Sequence, residues 1–247
     1  MKFKTKVIKV VETDSTNRLI KQYLSDEADI LALVADYQSA GRGQGANTWE
    51  SSKGENLLFS LLVHPSQVPV CRQYLLSMMG AVALKMALSG YIDDITLKWP
   101  NDIYWKDKKI SGTLIENTLS NGHIKDCVFG VGLDVNQKNF ASDAPNPISI
   151  ATILGHDVDR EELFDKIICS FEKCYSLLLE GGYSDIAALY HDSLYRKHGF
   201  HLYEDATGPF EGAIVEVEDD GHLVLRDREG VMRRYAFKEV KFVIDKN

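Results

Sequence analysis

Nine residues at positions 41–49, GRGQGANTW, have the composition of an anion-binding loop. The glycines at every second position from Gly41 let the backbone take positive φ and approach a ligand closely. Arg42 lies between the first two and carries a planar, permanently charged guanidinium that suits carboxylates and phosphates. A plain glycine turn and a dinucleotide-binding loop are the alternatives, but the following residues do not open the apolar helix that the latter requires. We therefore interpret the segment as a mobile loop that closes over an anionic ligand.

Two further motifs place charge at predicted strand ends. In KWPND at 98–102, Pro100 cannot donate a ladder hydrogen bond, so Asn101 and Asp102 are expected at a strand end, where sites are commonly built. A simple turn is the alternative reading. Lys109 stands between a polar hairpin tip and an ISG tripeptide whose glycine leaves room for a ligand. Attack of a carboxylate on ATP brings two anions together, so these fixed cations indicate activation of a carboxylic acid by a nucleotide.

Apolar periodicity predicts the elements that would hold these motifs. Strands are expected at 5–12, 30–35, 56–63, 95–99, 103–105, 110–117 and 125–135. Helices are expected at 70–88, 161–180 and 184–197, with a further one after a cap at Asp14 or Ser15. Asp159, with Glu162 three residues on, resembles a capping box at the start of the second of these helices. Residues 141–149 are expected to form a loop. After Gly199, four short β-type runs separated by polar turns predict a small β unit docked on the rest of the chain.

Composition narrows the class of protein. The 247 residues are 45% hydrophobic and 26% charged, as in ordinary globular proteins of one large domain or of a large and a small one. A net charge of −8 without a long basic stretch disfavours nucleic-acid binding, and no apolar run has the length of a membrane span. Four cysteines without a CxxC pair, and no signal peptide, fit a reducing cytoplasm. We expect a cytoplasmic protein that binds neither nucleic acid nor a membrane.

Five motifs follow one another along the chain: TDSTN at 13–17, DYQSAGRG at 36–43, KWPND at 98–102, KKISG at 108–112 and GVGLDVN at 130–136. In this order they resemble the motifs of biotin protein ligases, and the resemblance covers essentially the whole chain. It implies an α+β fold, with a mixed β-sheet catalytic domain and flanking helices at 1–198. A small C-terminal SH3-like β-barrel would occupy 199–247.

The resemblance also implies a reaction and its partners. Biotin and ATP, with Mg²⁺ arriving on the nucleotide, would give biotinyl-5′-AMP and pyrophosphate. A lysine on the biotin carboxyl carrier domain of a carboxylase would then take the biotinyl group and release AMP. The first motif begins at Thr13, which leaves no room for the N-terminal DNA-binding domain of some members, so a short form without a repressor role is expected. A homodimer stays open.

Residue roles follow from the resemblance, motif by motif. The catalytic residues would be Arg42, Lys109 and Asp102, with Lys109 against the biotin carboxylate and the α-phosphate and Asp102 orienting the incoming amine. Biotin-binding residues would be Ser15, Thr16, Asn17, Gln38, Gly41, Arg42, Gly43, Trp49, Lys109 and Gly112. Nucleotide-binding residues would be Gln44, Asn101, Gly132 and Asn136. The sequence shows no histidine or cysteine cluster at metal-ligand spacing, so no metal cage is expected.

Two alternatives come from different classes of protein. A lipoate–protein ligase or related acyltransferase would share the fold, but an acyl chain needs a long apolar tunnel, whereas the bicyclic head of biotin needs a closed end with polar donors. A non-catalytic nucleotide-binding or DNA-binding regulator is the other alternative. Arg42, Asp102 and Lys109 together disfavour the first kind of regulator, and the acidic charge disfavours the second. One departure from the family is QGAN at 44–47, where some members place more arginines. The sequence therefore leaves open how tightly the protein retains the adenylate.

Overall fold

A seven-stranded mixed sheet forms the larger part of the structure, a computed structural model that describes residues 2–24, 27–141 and 146–244. β1 and β2 are parallel and the other neighbouring pairs are antiparallel, in the order β1-β2-β3-β7-β6-β5-β4. The strands are β1 (Thr5–Thr13), β2 (Ile30–Gln38), β3 (Leu57–Val63), β4 (Ile95–Lys98), β5 (Asp102–Trp105), β6 (Lys108–Ser120) and β7 (His123–Leu133). All seven predicted strands are therefore confirmed, with ends shifted by a few residues.

The two faces of this sheet have different partners because side chains alternate along each strand. On β3, Phe59 meets Phe164 with ring centroids 5.3 Å apart, whereas the next residue, Ser60, points to the opposite face. Phe129 of β7 likewise packs on Phe171, at 5.2 Å. The helices within the described residues are α1 (Thr16–Ile20), α2 (Tyr74–Leu88), α3 (Ile150–Leu154), α4 (Arg160–Leu179) and α5 (Tyr183–Asp192). The α4 helix thus covers the core face, and the site described below lies on the opposite face.

Helix ends agree with the sequence in one case and differ in another. Asp159 caps α4, since its Oδ1 accepts from the backbone N–H groups of Glu161 and Glu162 at 2.8 and 3.1 Å. Ser15 occupies the cap position of α1, but its hydroxyl makes no capping bond, so the expected side-chain cap is wrong there. The helix expected at 70–88 begins with a 3₁₀ turn at Val70–Arg72 and becomes α-helical at Tyr74. Within the described residues, no helix combines the length and apolar character needed to cross a membrane.

A second, antiparallel sheet follows at the C-terminal end of the chain. Its strands are β8 (His201–Asp205), β9 (Gly208–Val217), β10 (Leu223–Asp227), β11 (Met232–Tyr235) and β12 (Lys241–Phe242), in the order β11-β10-β9-β8-β12. The sequence did not indicate β12, which has only two residues. Trp99 Nε1 donates to the Gly221 carbonyl at 2.9 Å, and Val217 N donates to His191 Nε2 at 3.0 Å. These bonds tie the small sheet to the larger part.

The α+β class, with a large mixed sheet and a small β unit, is confirmed. No pairing between the edge strands β11 and β12 occurs in the residues described, so a closed barrel is not seen. The SH3-like description and the domain division at 198 and 199 stay predictions. Tyr203 and Leu223 belong to the same buried cluster as Phe59, so the apolar core is continuous between the two sheets.

The Asp159 cap can be tested by substitution. Asp159→Ala removes the acceptor for two backbone N–H groups and should lower the free energy of unfolding by about 1 kcal/mol. Urea unfolding measures the change. Asp165→Ala, on the same helix but away from its N-terminus, is the control and should not destabilise the protein. Equal stability of Asp159→Ala and wild type would contradict the capping role.

Candidate active site

A cavity of about 550 Å³ opens on the face of the large sheet that α4 leaves free. It collects segments that are far apart in sequence: the start of α1, the glycine loop, the β4–β5 corner, and the adjoining strands β6 and β7. The predicted site residues in its lining are Ser15, Thr16, Asn17, Gln38, Arg42, Gly43, Gln44, Trp49, Asn101, Asp102, Lys109, Gly112 and Gly132. Of the predicted set, only Gly41 and Asn136 are outside the lining.

Three glycines leave the floor of this cavity without side chains. Gly112 of β6 pairs with Gly132 of β7, and Gly130 lies two residues back on the same face. A Cβ on Gly132 would lie 2.2 Å from the Trp49 ring, and one on Gly112 would lie 3.0 Å from it. A Cβ on Gly130 would lie 2.0 Å from Asn17 Oδ1. Glycine is therefore required here by close approach, and the indole of Trp49 lies directly on the bare backbone.

A polar network closes the cavity beside Gly130. Thr16 donates from its backbone N and from its hydroxyl to Gln38 Oε1, at 2.7 and 3.0 Å. Ser60 is fully buried on β3 and donates from Oγ to Asn17 Oδ1 at 2.6 Å, with Thr16 Oγ1 at 2.8 Å. Sequence analysis missed Ser60, although a single serine in the otherwise apolar LLFSLLV strand is a readable signal. The network fixes hydroxyl and amide groups at one end of the cavity.

A lysine–aspartate pair lies at the other side of the glycine floor. Lys109 Nζ is 2.7 Å from Asp102 Oδ1, and both side chains are largely buried. The same ammonium lies 5.6 Å from the centre of the Trp49 ring. Asp102 begins β5 and Lys109 is near the start of β6, so the hairpin between these strands brings the pair together. The arrangement can hold an anion at the lysine and a proton donor or acceptor at the carboxylate.

Sequence analysis gave no role to Lys98 at the end of β4 or to Asp134 just after β7, two charged residues that line the cavity. Lys98 lies between the rings of Tyr104 and Phe242, at 5.1 and 4.9 Å, and burial lowers the pKa of its ammonium while the Asp102 carboxylate opposes that shift. Asp134 follows β7 and is buried, which raises the pKa of its carboxyl well above the usual range. Its Oδ1 accepts from Asn56 Nδ2 at 3.2 Å. The sequence alone marked both positions as parts of motifs without a role.

The glycine loop places its two functional side chains differently. Arg42 is exposed, and its Nη1 lies 3.5 Å from Glu116 Oε1. The other oxygen of that carboxylate, Oε2, accepts from Asn17 Nδ2 at 3.0 Å. Gln44 faces the cavity, and its Oε1 is buried without a hydrogen-bond partner. The indole N–H of Trp49 is in the same state. Gln44 and Trp49 therefore have unused hydrogen-bonding capacity for a ligand, whereas Arg42 is held by a carboxylate that sequence analysis did not identify.

Gly41 and Asn136 serve the structure around the cavity. The Gly41 carbonyl accepts from Trp49 N at 3.0 Å, which closes the two ends of the loop on each other. Asn136 Nδ2 donates to the Val158 carbonyl at 3.0 Å, and its Oδ1 accepts from Val158 N at 2.8 Å. Both ends of this amide are thus occupied by a segment 22 residues further along the chain. The structure does not bring Asn136 into the lining with the other predicted nucleotide-binding residues.

The fold and the site together are a mixed sheet whose open face carries a cavity with a glycine floor, a polar network and a lysine–aspartate pair. Residues 7–134 match the profile of the biotin/lipoate A/B protein ligase family, and the chain belongs to this family. A biotin protein ligase from Aquifex aeolicus, solved in complex with biotin and ATP, superimposes with a TM-score of 0.80 at 25% identity, covering 96% of this chain and 99% of that one.

Curated relatives extend the comparison. The bifunctional ligase/repressor BirA of Bacillus spizizenii is 32% identical over 213 residues, which cover 83% of this chain and 64% of the relative. The biotin–[acetyl-CoA-carboxylase] ligase of Paracoccus denitrificans is 27% identical over 228 residues, which cover 90% and 94%. The chain therefore spans under two thirds of the bifunctional relative and almost the whole of the other.

The glycine floor gives a direct test of this geometry. Gly130→Ala places a methyl group where Asn17 now lies, and overpacking of this kind should lower the free energy of unfolding by about 1–3 kcal/mol. Gly90→Ala is the matched control, because the nearest atom to its new Cβ is 3.5 Å away. Urea unfolding of both variants measures the difference. Equal stabilities would mean that Asn17 can move away at no cost and that the floor need not be bare.

Proposed function

We propose that this chain activates biotin with ATP as biotinyl-5′-AMP and transfers the biotinyl group to a lysine of a carboxylase's biotin-carrier domain. One observation carries the proposal. A single cavity has the Thr16–Asn17 polar network at one end and the Lys109–Asp102 pair at the other, with the glycine floor and the Trp49 indole that lies on it between them. A small acid with a polar head and a carboxylate tail fits that order of groups.

In the first half-reaction, a carboxylate oxygen of biotin attacks the α-phosphorus of ATP. The bond to the bridging oxygen between the α- and β-phosphates breaks, and pyrophosphate leaves with the electron pair. Lys109 would neutralise the two anions that meet there, since a preorganised cation in a partly buried site stabilises charge that builds at phosphorus. Lys98 adds a second ammonium at the same wall. Mg²⁺ would come with the nucleotide and use its phosphates and water as ligands.

In the second half-reaction, the acceptor amine attacks the carbonyl carbon of the mixed anhydride. An amide bond forms, the bond from that carbon to the phosphate oxygen breaks, and AMP leaves. The amine must lose a proton during this step. We assign Asp102 to orient the amine and accept its proton, because its carboxylate lines the cavity beside Lys109, where the mixed anhydride would form.

Biotin rather than lipoate is the favoured acid because the end of the cavity beside Gly130 presents hydroxyl and amide groups from Thr16, Asn17 and Gln38. These groups match a ureido ring and not the apolar dithiolane of lipoate. The test is incubation with ATP labelled at the α-phosphate and either acid, followed by separation of the adenylates. Adenylate formation with biotin supports the proposal; adenylate with lipoate alone would replace it with the lipoate reaction, and none with either acid would reject both.

A carboxylase carrier domain as acceptor belongs to this proposal, as does a cytoplasmic location. We assign a carrier domain as the acceptor because the second step needs a lysine amine that can reach the mouth of the cavity. Transfer of label from biotin to a purified carrier domain, and its loss when the target lysine is replaced by arginine, tests the acceptor.

Lys109 is the first residue to test. Lys109→Ala should reduce biotin-dependent pyrophosphate release by a factor on the order of 10²–10³, the usual effect of removing one preorganised donor. Lys108→Ala is the control, since Lys108 is exposed at the adjoining hairpin tip and is not in the lining. Both variants should remain folded by circular dichroism. Near-wild-type pyrophosphate release by Lys109→Ala would remove this residue from the mechanism.

Arg42 and Gln44 are expected to have different roles in the glycine loop. Arg42 is the only cation from Gly41 to Trp49, so it alone can offer a charged fork to the adenylate phosphate. Arg42→Ala should weaken retention of biotinyl-5′-AMP by about 1.5–3 kcal/mol, and the leaked adenylate should label bystander lysines. Blotting for biotin on an unrelated protein measures the leak. More bystander labelling by Gln44→Ala than by Arg42→Ala would reverse the two roles.

A further inference from the structure

A tight turn of the C-terminal sheet, residues 236–239, reaches the glycine loop of the large part. Ala236 N donates to Glu239 Oε2 at 2.7 Å, and Glu239 N donates to the Ala236 carbonyl at 3.1 Å, so the turn is held by its own residues. Phe237 lines the cavity. A Cβ on Gly45 would lie 2.7 Å from Lys238 Nζ, which places this ammonium directly against the loop.

The backbone at Lys238 has an uncommon conformation. Its φ is +73°, in the left-handed region that glycine adopts freely and that costs a lysine free energy. Arg196 has a similar φ of +60°, but its guanidinium donates to the carbonyls of Leu202 and Val243, and these two hydrogen bonds account for its backbone conformation. Among the described residues, Lys238 makes no ion pair; its ammonium lies 5.6 Å from the centre of the Phe237 ring. A lysine with a strained backbone and no carboxylate partner among the described residues, beside a cavity, indicates a function there.

The charges of the cavity show what is missing for a nucleotide. Its lining carries three cations, Arg42, Lys98 and Lys109, and three acids, Glu50, Asp102 and Asp134. Two of the cations are already paired, Lys109 with Asp102 and Arg42 with Glu116. A nucleoside triphosphate brings about four negative charges, of which the Mg²⁺ bound to it would offset two, and the lining with its equal numbers of cations and acids adds no net positive charge to offset the rest. Lys238 stands at the rim of the cavity, beyond Gly45.

We propose that Lys238 binds the polyphosphate of ATP when the glycine loop covers the nucleotide. The C-terminal sheet would then contribute a specificity residue to the active site, as a point charge on a flexible stem that suits phosphate oxygens. This inference deepens the proposed function and rests on it. Lys238 would approach the triphosphate from the side of the glycine loop, and the cations of the large sheet would approach it from the opposite side.

Binding of α,β-methylene-ATP tests the assignment, because this analogue keeps the triphosphate and cannot react. Calorimetric titrations are made with Mg²⁺, with and without biotin. Lys238→Met should weaken analogue binding by about three- to tenfold, the scale of one partly screened charge, and Lys238→Arg should restore it to within about twofold. Affinity for biotin alone should stay unchanged in both. Lys241→Met, an exposed lysine on the same sheet, is the matched control and should bind the analogue like wild type.

Lys238→Gly separates function from folding. It should weaken analogue binding as Lys238→Met does, while its Tm stays equal to that of wild type or rises by ~2 °C because the strained φ is relieved. Analogue binding within twofold of wild type in both Lys238→Met and Lys238→Gly would overturn the assignment. A protein that shows these losses but releases no pyrophosphate with biotin would reject the proposed biotin reaction and retain Lys238 as a phosphate-binding residue. Failure of wild type to bind the analogue at all would overturn both.

Discussion

The bare strip of backbone on β6 and β7 is the constraint on which the site depends. Gly112, Gly130 and Gly132 leave no side chains on one face, so that face can hold a flat indole, an amide or a ligand at van der Waals distance. A strip without side chains contributes little burial of its own, and the stability must come from the other face. There the alternate residues of β7, such as Phe129, pack under α4. Because side chains alternate between the two faces of a β-strand, β7 can present bare backbone on one face and pack apolar side chains on the other.

Charge compensation is the second feature that follows from this arrangement. A site for the two anionic substrates of the proposed reaction would have to concentrate cations, and unpaired cations close together would repel each other when no ligand is bound. In the structure Asp102 faces Lys109, and Glu116 faces both Arg42 and Lys21. The carboxylates therefore hold the cations in place before a ligand arrives. An incoming anion must compete with these carboxylates for the cations, so the carboxylates lower the affinity of the site for anions.

The C-terminal sheet is joined to the large sheet through more than one kind of contact. A continuous apolar core runs between them, and Trp99, directly before the Pro-Asn-Asp corner, donates its indole N–H to the carbonyl of Gly221. Phe237 then contributes a wall of the cavity. Movement of the small sheet would consequently disturb both the corner that carries Asp102 and the rim beside the glycine loop. The coupling between the two sheets is direct contact between packed elements, so no chain of intermediate residues is required.

Local pattern in the sequence determined the strands of the large sheet, the main helices, the Asp159 cap and the motifs that carry Arg42, Asp102 and Lys109, because turn chemistry and periodicity act within a few residues. Only the tertiary structure decided which polar residues of the strands face the cavity, since this depends on sheet register and on partners tens of residues away. Ser60 meets Asn17 across 43 positions and Glu116 meets it across 99. For the same reason Asn136, which looked like a ligand contact in its motif, is occupied by Val158, whose position the motif does not contain.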